Sequence, residues 1–179
     1  MTVEAVRARP LTTEEVEQLL RAAAATIRAE TEGMAEDLAA WHPGGTEWCV
    51  KECIGHIMEA EQRGFYGRIN LILEEPGRPL KTWDQVEVQR ARNDCEKPLD
   101  EVVDAFLEMR NRSVALVSTL RNVDLDKGGE HEVVGHLEVQ DLLHEWVHHD
   151  RNHVRQLMAN VQDLAWASMG NARRFADED

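Results

Sequence analysis

The chain has no apolar run approaching the roughly 18 residues that a membrane-spanning helix needs, so no segment is expected to cross a bilayer. Basic excess is missing as well: 34 acidic residues stand against 20 basic ones, a formal net charge of -14. A field of that sign repels phosphate, which argues against nucleic acid and against anionic lipid as partners. Tyrosine and phenylalanine are scarce, one and three residues, beside five tryptophans. A buried tryptophan wants a partner for its N–H, so some of the five are candidates to line a cleft. Cysteine is scarce and odd in number: Cys49, Cys53 and Cys95. The opening residues, MTVEAVRARP, lack the apolar segment of a secretory signal, and the expected location is cytoplasmic. In that reducing compartment a disulfide framework is not expected. Cys49 and Cys53 are separated by three residues, which is not the CxxC of a zinc ribbon or a thioredoxin-like protein. Internal repeats, low-complexity tracts and strand-like alternation are absent.

What remains reads as helix. With 179 residues there is room for one domain with a real core. Thr12-Thr13-Glu14-Glu15 has capping-box form, and Val16, Leu19, Leu20, Ala23, Ala24 and Ile27 follow at helical spacing, with continuation possible to Trp41. A second helix is expected from Trp48 to about Glu74, a third from Pro98 to Leu120, and a fourth from Glu138 past Leu157. Four long helices predict an all-α four-helix bundle over residues 11–165, with a flexible N-terminus (1–10) and a C-terminal tail (166–179). Residues 75–97 are too long for a tight turn. They suit a crossover between helices two and three that are not antiparallel neighbours, and a functional loop over one end of the bundle.

The fourth helix carries two overlapping metal-type patterns. His144-Glu145-Trp146-Val147-His148 is a literal HExxH, and His149-Asp150-Arg151-Asn152-His153 is a second pair at i, i+4. At about 100° per residue, Val139, Leu142, Leu143, Trp146, Leu157 and Val161 define the core face. His149 and His153 lie at its edge, while His144 and His148 point away. The zinc-protease pattern also lacks its third ligand: positions 151 and 154 are Arg and Val where Gly and His are required. On helix two, His56 flanks the core face marked by Val50, Cys53, Ile54, Ile57 and Phe65. His56, His149 and His153 are therefore the candidate ligands of a divalent metal in the bundle core.

These residues resemble the DinB-like superfamily of metal-binding four-helix bundles. Trp48-Cys49-Val50-Lys51-Glu52-Cys53-Ile54-Gly55-His56-Ile57 is similar to that family's Trp-Ser-x-x-Glu-x-x-x-His-Leu. Phe106 to Arg110 with Leu120, then His131-x3-Gly135, Leu142-Leu143 and His149-Asp150-x2-His153-x2-Gln156 continue the likeness. Cys49 stands where the family usually has Ser or Thr, and a thiol caps a helix less well than a hydroxyl. The resemblance implies metal-ligand status for His56, His149 and His153. It also implies a metalloenzyme acting on a small-molecule substrate, either a transferase using a low-molecular-weight thiol such as mycothiol or bacillithiol or a metal-dependent hydrolase, with a non-enzymatic metal- or ligand-binding stress protein as the alternative to both. Zinc, nickel, iron and manganese all remain open, and a homodimer is expected by analogy.

Other positions carry weaker readings. Asp150 lies near the centre of the apolar stripe, where it either orients a ligand histidine from behind or pairs with an arginine. Glu61 and Arg68 face inward on helix two and Arg110 lies at the edge on helix three, which suggests a buried polar network with Glu61 as a candidate general base. Cys53 reads as a small core residue. His131, His136 and Trp83 are candidates for the mouth of the site.

Overall fold

The computed structural model describes residues 9–45 and 47–176. Most of the N-terminal segment read as flexible, and the last three residues of the tail, lie outside the described residues. Helix α1 spans Thr13–Thr31. Thr12 accepts the Glu15 N–H at 3.2 Å and the Glu15 carboxylate accepts the Thr12 N–H at 2.9 Å, the reciprocal cap that the sequence announced. The helix does not reach Trp41. Gly33 turns into the left-handed region at φ +75, where a side chain would be disfavoured, and only a single turn, α2 (Glu36–Ala39), follows.

Helix two is a continuous rod in three parts: α3 (Val50–Glu59), a π-helical stretch (Ala60–Phe65) and α4 (Tyr66–Glu74). After it come α5 (Gln85–Arg92), α6 (Leu99–Thr119), the short α7 (Asn122–Leu125), α8 (Val139–Ser168) and α9 (Arg173–Ala176). No helix among the described residues is long and apolar enough to cross a membrane.

Two apolar clusters reveal how the four long elements run. One joins Leu20, Ile72, Val117 and Leu142; the other joins Ile27, Ile54, Val102 and Leu157. Moving from the first cluster to the second follows α1 and α8 forwards but the α3–α4 rod and α6 backwards. The order is up-down-down-up. The rod and α6 pack side by side and point the same way, so the chain from Glu75 to Pro98 has to return along the whole bundle. That is why the crossover is long.

The connections hold a small three-stranded sheet that sequence reading did not anticipate. Strand β1 (Pro79–Leu80) pairs in parallel with β2 (Gly128–His131), which pairs antiparallel with β3 (Gly135–Glu138). Strands of two to four residues, two of them glycine in β2, are too short to show alternation in the sequence. At Gly129 a Cβ would lie 2.6 Å from the Arg78 carbonyl, so only glycine lets the strands approach there.

A second correction concerns the cysteines. Cys49 and Cys95 form a disulfide across 46 residues, while Cys53 is a free and fully buried core thiol pushed up to about 12, chiefly by burial. An odd count and an assumed compartment argued against any such bond. They carried no information about which cysteines the fold brings together. The pair ties the start of α3 to the end of the crossover.

Candidate metal centre

Between the two apolar clusters lies a polar layer, and its first part is three histidines. His56 comes from α3, and His149 and His153 come from successive turns of α8. One ring nitrogen of each lies within 4.8 Å of the others. His56 Nε2 and His149 Nε2 face each other at 3.1 Å. Two imidazole nitrogens on a tetrahedral ion, at metal–nitrogen bonds of about 2.0–2.1 Å, stand about 3.3 Å apart, so the spacing suits one shared cation.

Burial keeps the rings neutral. It pushes His56 down to about 4, with His153 adding to the effect, and His149 down to about 3, with His153 and His56 adding. His153 is also lowered by burial, against the opposing pull of its hydrogen bond to Gln156. That bond joins His153 Nδ1 to Gln156 Oε1 at 2.9 Å, which fixes the tautomer and leaves Nε2 as a lone-pair donor. Trp48 lies against the site, its ring centroid 4.5 Å from that of His56 and 5.8 Å from that of His153. The Nδ1 of His149 is buried with no hydrogen-bond partner. Three neutral nitrogen donors converging at this distance fit a divalent cation with at least one coordination position left open.

The second part of the layer is ionic. Arg110 on α6 donates from Nη1 to Asp150 Oδ2 at 2.6 Å and from Nη2 to Asp150 Oδ1 at 3.1 Å. Its Nε reaches Glu61 Oε2 at 3.0 Å, and Nη1 also reaches the Leu20 carbonyl at 2.8 Å. All three side chains are buried. Burial raises both carboxyls above their usual range against the attraction of Arg110. Burial likewise opposes the guanidinium charge, but Asp150 and Glu61 outweigh it and hold Arg110 above its ordinary value. Of the two roles open to Asp150, the structure gives it the arginine pair; Gln156 is the side chain that orients a ligand histidine. Glu61 is bound to the same guanidinium and lies inside the π-helical stretch. When ionised, two carboxylates against one guanidinium carry one surplus negative charge beside the histidines, which favours a cation there.

A cavity of about 250 Å³ opens onto His149. Its walls include Phe65, Arg68, Trp83, His131 and Glu145. Arg68 lies over the Trp83 ring at 5.0 Å, and its Nη2 is 2.8 Å from His131 Nε2. Its Nε is buried with no hydrogen-bond partner. Gly64 lets the Trp83 ring approach closely, since a Cβ there would lie 2.9 Å from the ring and push it away. His136, by contrast, pairs with Glu130 on the surface. His148 is exposed, and His144 bonds the Leu11 N–H at 2.9 Å, so the HExxH pair converges on no common point. Glu145 within that motif does reach the cavity, one turn before His149, a role that sequence reading passed over; its i, i+4 relation to His149 was the available signal.

Comparison with known proteins bears on the fold and the family. No curated protein sequence matches the chain. Among solved structures, YfiT from Bacillus subtilis, described as a probable metal-dependent hydrolase with an unusual four-helix bundle topology, superposes with a TM-score of 0.78 at 16% identity, over 92% of this chain and 96% of that one. A mycothiol-dependent maleylpyruvate isomerase superposes with a TM-score of 0.68 at 11% identity, over 82% of this chain and 61% of the isomerase. An uncharacterized protein from Clostridium difficile 630 gives 0.62 at 13% identity, over 85% of this chain and 96% of its own. At these identities the likeness establishes the fold. The DinB superfamily model matches residues 18–157, most of the chain and all three histidines, and the chain belongs to the DinB superfamily.

Proposed function

We propose that the protein is a metal-dependent transferase that joins a low-molecular-weight thiol to a small electrophile. A divalent cation held by His56, His149 and His153 would supply an open position that lowers the pKa of a bound thiol or water and polarises a carbonyl. The observation that carries the thiol reading is the state of the buried carboxylates. Glu61 and Asp150 are both committed to Arg110, so neither is free to take a proton from water. A thiol, far more acidic than water, needs no such base. Arg68 offers a cationic wall for an anionic group of the substrate, and Trp83 and Phe65 an apolar one. Incubation of the metal-loaded protein with mycothiol or bacillithiol and a panel of electrophiles should consume thiol, and His149→Ala should abolish the consumption. No thiol loss across the panel would sink this reading.

One observation favours a hydrolase instead. Glu145 lines the cavity one turn from His149, within reach of a general-base role. That alternative predicts ester or amide cleavage without thiol, stopped by a chelator and by Glu145→Gln.

A further inference from the structure

A second group of metal-type side chains lies at the end of the bundle, outside the three-histidine site. His42 precedes α3, Cys49 sits at its N-cap, Glu52 occupies its first turn, and Cys95 ends the crossover. One ligand atom from each lies within 4.8 Å of all the others. We propose that these four residues form a second metal site for a borderline-soft divalent cation such as zinc, competent when Cys49 and Cys95 are reduced and dismantled when they join as a disulfide.

The chemistry of the donors supports this. Two thiolates, an imidazole and a carboxylate make a tetrahedral set, and thiolates select zinc over magnesium or calcium. The geometry supports it too. His42 Nε2 lies 3.0 Å from Glu52 Oε2 and 3.8 Å from Cys95 Sγ. Ligand atoms around tetrahedral zinc with thiolate, imidazole and carboxylate stand about 3.3–3.8 Å apart. The carboxylate is aimed by the backbone, because Glu52 Oε2 also accepts the Cys49 N–H at 3.0 Å. Cys49 is buried, while the His42 side chain is 44% exposed and borders an open cleft of about 510 Å³, so an ion can enter from solvent. The two sites share no ligand. They are joined through Trp48, which precedes Cys49 in the chain and lies against His56 and His153.

The disulfide and the metal site are alternative states of the same sulfurs. With a hydroperoxide as oxidant, each thiolate gives up one electron and the S–S bond forms. The peroxide O–O bond takes the pair and, with two protons, leaves as water and the corresponding alcohol, or as two waters from hydrogen peroxide. The cation departs without changing its own oxidation state. Oxidation would thus exchange a metal crosslink for a covalent one between the start of α3 and the crossover.

Cobalt(II) titration of the full chain separates the sites, because only a sulfur-ligated ion shows thiolate-to-cobalt charge transfer in the near ultraviolet. The reduced protein should show that band, and His149→Ala should keep it. The double variant Cys49→Ser/Cys95→Ser should lose it, Cys95→Ser alone should cut its intensity by half or more, His42→Ala should weaken cobalt binding about tenfold or more, and one equivalent of hydrogen peroxide should remove the band from the wild type. Zinc analysis should find one more equivalent per chain in reduced than in oxidised protein. Absence of the band from the reduced wild type, or its persistence in the double variant Cys49→Ser/Cys95→Ser, would overturn the proposal and leave the pair as a disulfide only. Neither result bears on the three-histidine reading.

Discussion

His149 and Asp150 are neighbours in the chain, yet they serve opposite kinds of polar cluster. Asp150 enters a triad in which every member is paired: Arg110 holds it with two hydrogen bonds and holds Glu61 with its remaining edge. His149 enters a group of neutral rings whose nitrogens converge, with one of its own ring nitrogens unpartnered. A paired buried charge stiffens a core, and its loss is felt by folding. Converging neutral donors give the fold little by themselves and are poised for something added. The difference teaches that burial of polar groups in this bundle has two purposes, and that stability and metal binding should separate on mutation.

The largest expected effect tests the structural half. Arg110→Ala leaves two buried carboxyls without their partner and should destabilise the protein by about 3–5 kcal/mol in denaturant unfolding. A small effect there would show that the triad is not a structural unit. The next tests the other half. Adding metal at about 100 times its dissociation constant should stabilise the wild type by about 2.7 kcal/mol, and the double variant His149→Ala/His153→Ala should bind no stoichiometric metal and show no such gain. The metal-free variant itself should unfold close to the wild type, in contrast to Arg110→Ala. Third, Gln156→Ala removes the partner that sets the His153 tautomer and should weaken metal binding about tenfold, with little change in metal-free stability.

The last effect is in pH, and it vanishes at neutrality. His56 and His149 are held near 4 and 3, below the ordinary value of about 6.5 that they regain on unfolding. Above that ordinary value both states carry neutral rings and nothing is lost. Below it the unfolded chain takes up protons that the folded one refuses, so stability falls as pH drops towards 4. Each histidine contributes a slope of at most about 1.4 kcal/mol per pH unit. Urea midpoints of the metal-free wild type should fall across this window more steeply than those of the double variant. Equal slopes would mean that the rings are not held neutral.

Much of this was legible in the chain. The apolar period that places Val139, Leu142 and Trp146 on one face of α8 also places His149 and His153 at its edge, because one helix geometry governs both. Position 56 follows from the same reasoning on α3. The length of residues 75–97 foretold a crossover, and the parallel course of the rod and α6 explains it. Other features had no periodic signature. The cavity draws Arg68 from α4, Trp83 from the crossover and His131 from β2, and no local pattern links them. The Cys49–Cys95 contact depends on where the crossover ends, which spacing does not encode. The π-helical stretch inserts its extra residue among side chains that read as ordinary helix.

That stretch has a mechanical consequence. A wide turn between α3 and α4 acts as a phase joint, resetting the angle at which everything after Phe65 meets the bundle. Upstream of the joint stands His56, which serves the ion; downstream stands Arg68, which serves the pocket wall. The two can therefore be tuned apart: sequence change beyond the joint can reshape what enters the cavity while the ligand geometry before it stays in register.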